Sequence, residues 1–222
     1  MTFLAAIGAL IPISVAAAIS TVPLLAMIAL LLSARKRGAA LAYLIGWVVG
    51  LFAVAGLFSL GLSAAAPADP VTVPVFGGVE TVVGAALVVF GVTLLVRRAA
   101  PVPATSWTDR LSGMGPLGAA GLGVVLNLRP KALLLAAAAG IAISVSQPTI
   151  SEGVVLLAVY TALGCSSVAI PVILTLARPG VMEPRLRSSR DWLARNQRIV
   201  TGIVIVMVGA VIAGNGLTHL GG

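Results

Sequence analysis

Asn127, Arg129, Pro130 and Lys131 fall in one short segment, Asn127-Leu128-Arg129-Pro130-Lys131, near the middle of an apolar stretch running from Leu117 to Val145. A helix built only to cross a membrane has no use for two cations there, because an ionisable side chain at bilayer depth costs ~2.5–3.5 kcal/mol on insertion scales. Anion binding accounts for them. No carboxylate lies deep inside any apolar run to neutralise them, so a ligand anion fits as the counter-ion. Ser20, Thr21 and Pro23 make a second interruption, inside the apolar run Phe3 to Leu32. A proline removes a backbone donor and clashes with the preceding turn, so Pro12 and Pro23 are the candidate break points of that run. A structural use competes with the chemical one. Arg129 and Lys131 can snorkel, bond carbonyls freed by Pro130, or pair with Glu80 across the bundle. Asn127 reads more readily as helix glue than as a ligand contact.

Other chemistries fit poorly. No span combines a nucleophile with a plausible base and the chain holds one histidine, His219, so an enzyme is not expected. Divalent metals need His and carboxylate ligands that the spans lack, so neither a metal nor a cofactor is expected. Cys165 is the one cysteine, which excludes an internal disulfide and a thiol relay and leaves it a small buried residue. A net charge of +8 would point to nucleic acid in a soluble protein. Here the basic residues sit in short segments between apolar runs, so orientation explains them and nucleic acid is not an expected partner.

These residues must be positioned by membrane helices. Hydrophobic residues make up 59% of the 222 and charged residues 9%, against ~25% charged in soluble domains. No soluble domain fits beside the apolar runs 3–32, 39–63, 79–96, 117–145, 154–177 and 199–217. The first run is ~45 Å long as a helix, more than one straight span, so it must tilt, bend or break. It is also too long for a signal-peptide core and no Lys or Arg precedes it, so it reads as a retained span. Three basic residues follow the first run, three the third and six the fifth, with none in the other loops or tails. Those loops are therefore cytoplasmic, which predicts six spans and both termini outside, in a bacterial plasma membrane.

Ala64 to Gly78 reads as an outer loop. Trp107, Leu111 and Met114 in the Pro-rich linker suggest a short interfacial helix. Trp192 and Leu193 among the arginines of the segment Arg178 to Arg198 suggest a helix at headgroup level, with a solvated loop as the competing form. Gly46 and Gly50 form a small-xxx-small pair of packing value.

The halves resemble each other. Thr81-Val82-Val83-Gly84 through Phe90-Gly91 parallels Val200-Thr201-Gly202 through Val208-Gly209, both with Gly-x6-Gly spacing. Pro23 and Pro130 each interrupt the first run of their half. The fold class predicted is therefore an all-α integral membrane protein of six transmembrane helices in two inverted three-helix repeats, with the first and fourth helices broken at proline. Residues 1–98 form the first repeat, 99–116 a cytoplasmic linker and 117–222 the second repeat. In that arrangement the half-helices after Pro23 and Pro130 both begin at the membrane centre, so their positive dipole ends meet. Ser20, Thr21 and Asn127 lie just upstream with polar groups.

Ile19-Ser20-Thr21-Val22-Pro23, the basic turn from Ser33 to Gly38, and Leu44-Ile45-Gly46-Trp47 resemble the start of GAP-family membrane proteins of the lysine-exporter superfamily. The resemblance continues from Asn127 to Gly140, where that family has Asn-Pro-Lys before a Leu- and Ala-rich helix, and through Asp191-Trp192-Leu193-Ala194-Arg195-Asn196. It covers nearly the whole chain. Two departures stand out: Leu128 and Arg129 separate Asn127 from Pro130-Lys131, and Thr21 stands where the family usually has a first proline. Members are glycopeptidolipid- and sulfolipid-addressing proteins, so the resemblance implies export of an amphipathic glycolipid across an actinobacterial plasma membrane.

The expected function is thus a transporter that exports or flips an amphipathic lipid with an anionic head. Its substrate-binding residues are Asn127, Arg129, Pro130, Lys131, Ser20, Thr21 and Pro23. Export of a small amino acid or similar carboxylate solute uses the same cations and is the first alternative. A non-transporting scaffold that recruits lipid-export machinery through the segment Arg178 to Arg198 is the second. Expected partners are membrane lipids, the anionic amphiphile or solute, and either a second copy of the chain or lipid-synthesis machinery.

Overall fold

A computed structural model of the chain describes residues 3–33, 36–65, 73–96, 111, 113–146 and 148–221. The described residues form α-helices with one 3₁₀ turn and no strands. In chain order the helices are α1 (Phe3–Ala18), α2 (Thr21–Leu31), α3 (Lys36–Ala65), α4 (Val73–Val96), α5 (Pro116–Val125), the 3₁₀ turn Leu126–Leu128, α6 (Pro130–Val145), α7 (Ile150–Ala177) and α8 (Pro179–Gly221). Among the described residues, two segments are long and apolar enough to span a membrane unaided, Gly38–Gly61 within α3 and Ile150–Ala177. Three further spans result if each bent pair is taken as one: Phe3–Ala18 with Thr21–Leu31, Pro116–Leu128 with Pro130–Val145, and Pro179–Leu193 with Arg198–Gly214. Gly84–Val96 is a shorter apolar helix.

Several boundaries differ from the sequence expectation. α1 runs through Pro12 unbroken, and the first run instead breaks at Ile19 and Ser20, ahead of Pro23, with a bend of 51°. Pro23 is the third residue of α2, inside the first turn, where a missing N–H leaves no intrahelical bond unmade. The fourth run breaks where expected, at Arg129, with a bend of 68°. α4 begins at Val73, so the end of the expected outer loop is helical; residues 66–72 of that loop lie outside the described residues. Trp107 and Arg97 to Arg110 also lie outside them. The basic segment after the fifth run is helical, the start of α8, and a bend of 73° separates it from Arg198–Gly214.

Exposed and buried faces are both apolar in these helices, as a lipid-facing bundle requires. In α1, Ala6, Leu10, Ile13 and Ala17 recur at helical spacing and are buried, while Leu4, Ile11 and Val15 face outward. α2 is buried almost all round from Leu25 to Leu31. Without a hydrophobic drive between helices in lipid, close approach depends on small residues. A Cβ on Gly46 would collide with the Ala120 carbonyl of α5, and one on Gly123 would lie 2.6 Å from the Trp47 backbone nitrogen. Farther along, a Cβ on Gly140 would lie 2.9 Å from the Ser59 nitrogen. These contacts advance together along both chains, so α3 runs parallel to α5 and α6. Gly164 lies beside Ser14 and Ala17, and farther along Ser167 bonds the Ala18 carbonyl, so α7 runs parallel to α1.

α4 packs on α8 through the two Gly-x6-Gly pairs. Gly84 lies against Gly209 and Gly91 against Gly202, so this pair of helices is antiparallel. α7 starts on a capping box: the Thr149 N–H donates to Glu152 Oε2 at 2.9 Å and the Glu152 N–H donates to Thr149 Oγ1 at 3.4 Å.

Candidate substrate site

The break in the first span exposes two backbone carbonyls, and the sequence explains one of them. In an unbroken helix the Ile19 carbonyl would accept from the residue four positions on, which is Pro23 and has no N–H. An unpaired carbonyl in hydrocarbon costs several kcal/mol. Lys131 fills the gap: its Nζ donates to the Ile19 carbonyl oxygen at 3.4 Å. The Ala18 carbonyl accepts from the Ser167 hydroxyl at 2.5 Å and from the Ser20 N–H at 2.8 Å. Side chains of α6 and α7 therefore hold open the unwound turn between α1 and α2.

The second break is arranged differently. Arg129 takes an extended conformation (φ −74°, ψ 149°) as the N-cap of α6, and Pro130 follows at the first helical position. Proline suits that position because its missing donor would be unpaired there in any case. The Arg129 carbonyl accepts from the Leu133 N–H at 2.9 Å, so α6 begins cleanly. Arg129 and Pro130 are exposed and Lys131 is half-buried. Among the described residues no carboxylate pairs with Arg129 or Lys131. The Glu80 side chain, the sequence candidate for that role, lies outside the described residues.

Asn127 sits in the 3₁₀ turn and is 1% exposed. Its Nδ2 donates to the Gly123 carbonyl at 2.8 Å and to the Trp47 carbonyl at 3.4 Å, tying the turn to α3. Gly50 makes the room, since a Cβ there would lie 2.5 Å from that Nδ2. Asn127 thus anchors the second break to α3, and Lys131 crosses from it to the first.

Ser20 is the N-cap of α2, half-buried, with no side-chain capping bond. Thr21 is 3% exposed and its Oγ1 has no hydrogen-bond partner. Pro23 is buried, and its carbonyl accepts from Tyr43 Oη at 3.1 Å. The Tyr43 ring stacks on Trp47 with centroids 6.4 Å apart, and Trp47 supplies the carbonyl for Asn127. Tyr43 and Trp47 of α3 therefore connect the two breaks by a second route.

Of the sequence candidates, the structure joins Lys131 directly to the Ile19–Ser20 break, puts Asn127 into helix packing, and leaves Arg129 facing outward. Sequence reasoning gives Ser167 packing value only and passes over Tyr43 and the Ile19 carbonyl. The signal for the carbonyl was present, four residues ahead of Pro23. Ser167 and Tyr43 carry no comparable mark, because a lone hydroxyl in an apolar run usually bonds its own helix.

The family described as SfLAP, "Sap, sulfolipid-1-addressing protein", matches residues 10–218. No curated protein and no solved structure matches the chain.

Proposed function

The chain belongs to the sulfolipid-1-addressing protein family, and from that premise we propose that it exports or flips an amphipathic lipid with an anionic head across the plasma membrane. The observation that carries this reading is Lys131. It reaches from the start of one half-helix to the broken turn of another, where its contact is a neutral carbonyl, and no carboxylate among the described residues compensates its charge. A sulfur–oxygen acid group on a lipid head is anionic at neutral pH and would supply the missing charge. Arg129, two residues away and exposed, adds a second cation to the approach. Displacing the Ile19 carbonyl with a substrate anion exchanges a neutral acceptor for one of opposite charge, which adds a direct Coulombic attraction to a bond the lysine already makes.

The transport architecture we propose is two inverted three-helix repeats, residues 1–98 and 117–222, joined by the linker 99–116 and related to the lysine-exporter superfamily. Three packing relations support it. α1 parallel to α7, α3 parallel to α5 and α6, and α4 antiparallel to α8 are what six alternating segments produce. The broken span of each half packs against the middle helix of the other, which a two-fold axis exchanges. Gly84 against Gly209 and Gly91 against Gly202 follow the reciprocal pattern of a two-fold contact, residue i with j and j with i. In this reading the three basic loops face the cytoplasm and both termini lie outside.

The test is flipping of a head-group-labelled anionic glycolipid in proteoliposomes by the wild type and Lys131→Gln, with amino acids as competitors. Lipid movement lost in the variant, with correct folding retained, supports the carrier. Inhibition by an amino acid without lipid movement would assign the cations to a small carboxylate solute. No movement of either, in folded wild type, would leave a scaffold function.

A further inference from the structure

A cleft of about 520 Å³ opens where α2, the end of α7 and the basic start of α8 meet. That volume falls within the ~300–1,000 Å³ of small-molecule sites. Leu24 and Ile28 line it from α2, and Ile170 and Leu174 from α7. The remaining wall is the amphipathic stretch of α8 before its 73° bend, where Leu186 and Leu193 turn inward. Arg185, Ser188, Ser189 and Trp192 come from the same stretch.

The lining has an apolar part and a polar part. Leu24 lies one turn beyond the broken Ile19–Ser20 segment, so one end of the cleft is at span depth. At the other end the α8 stretch brings cationic and hydroxyl groups and a tryptophan that is 54% exposed, the composition of a membrane interface. The Glu183 carboxylate is engaged by Arg187 at 3.5 Å, whereas Arg185 makes no ion pair among the described residues. An occupant with an apolar body and an anionic end matches both parts.

We propose that this cleft is a lipid site separate from the Lys131 junction, holding one acyl chain of a membrane lipid whose anionic headgroup lies against Arg185. Ile28, Ile170 and Leu174 contact the chain, and Ser188 and Ser189 supply hydroxyls beside the head. The site does not depend on the transport reading: it binds lipid whether or not Lys131 moves any.

The probe is phosphatidylglycerol with a photoactivatable group at the tail terminus, incorporated into phosphatidylcholine vesicles containing the full chain. Label is expected on residues 24–28 and 170–174, several-fold above that on Val82, Val89 and Phe90, the exposed face of α4. Leu174, 45% exposed, tolerates a larger side chain, and Leu174→Trp should cut labelling by roughly tenfold, the effect of excluding about two methylene groups from an apolar site. Arg185→Gln lies on an exposed face, perturbs no packing, and should lower labelling by phosphatidylglycerol about fivefold while leaving a phosphatidylcholine probe unchanged. Equal labelling of the cleft and α4, or indifference to both substitutions, would overturn the proposal. Cleft labelling that survives in Lys131→Gln, whatever that variant does to flipping, separates this site from the junction; labelling lost with Lys131 would overturn the claim of a separate site.

Discussion

The two broken spans use the same device in opposite ways. At the first break the backbone is the acceptor: carbonyls of Ala18 and Ile19 are satisfied from outside by Ser167 and Lys131, and Thr21 and Pro23 are buried. At the second break the chain satisfies itself. Asn127 bonds its own helix and α3, proline starts the next helix, and the charged residues are left facing outward or across. One break is therefore held by the rest of the molecule, and the other presents groups to it. A site made from such a pair is asymmetric even if the repeats that build it are related by symmetry.

The largest expected effect is on Lys131, whose side chain bonds one break directly to the other. Lys131→Gln should reduce lipid flipping by roughly tenfold or more, since a hydrogen bond to a charged group contributes ~1.5–3 kcal/mol. Arg129→Gln should reduce it several-fold less, because that side chain is exposed. Flipping assays on both variants in the same vesicles check the ranking, and equal losses would break the asymmetry.

Next comes the seat of Asn127. Gly50→Ala puts a Cβ 2.5 Å from Asn127 Nδ2, and overpacking of this kind costs ~1–3 kcal/mol. Gly61→Ala meets nothing within 4 Å and should leave stability unchanged or raise it by ~0.5–1 kcal/mol through helix propensity. Unfolding titrations in detergent would compare the two.

The prolines sharpen the contrast at smaller magnitude. Pro23→Ala supplies the N–H that Ile19's carbonyl lacks, so the helix competes with Lys131 for that acceptor. The 51° bend should lessen and flipping should fall a few-fold. Pro130→Ala restores a donor at a first helical position, where it has no intrahelical acceptor, so the 68° bend should persist. Spin-label distances across each bend read both outcomes. Smallest is Ser167→Ala, which removes the bond to Ala18 and should cost ~0.6 kcal/mol, the average for interhelical hydrogen bonds in membranes.

Much of the helical layout was legible in the sequence because it depends on local terms. Apolar runs, basic clusters and Pro130 at a helix start are each set by residues close in the chain. Pro12 misled for the same reason that Pro23 was only partly right. A proline frees a carbonyl four residues back, and whether the helix breaks there depends on what meets that carbonyl. Pro23 freed Ile19's carbonyl and displaced the break toward it; at Pro12 the helix passed through.

The glycines divide similarly. Gly-x6-Gly was visible twice, and Gly46 with Gly50 as a packing pair, but their partners were not. That Gly84 faces Gly209, or that Gly50 makes room for Asn127, depends on which helices approach within backbone contact. Such contacts are fixed by the whole bundle, since in lipid no local hydrophobic pattern distinguishes a helix-facing side from a lipid-facing one.

The sequence by itself determined an all-helical chain of membrane-spanning character, a polar interruption in each half, and two cations within the central apolar run. Tertiary structure decided that Lys131 reaches Ile19, that Asn127 is an anchor, and that the basic stretch of α8 folds over a cleft. Composition and proline chemistry act along the chain, whereas each of these contacts joins residues brought together only when separate helices pack.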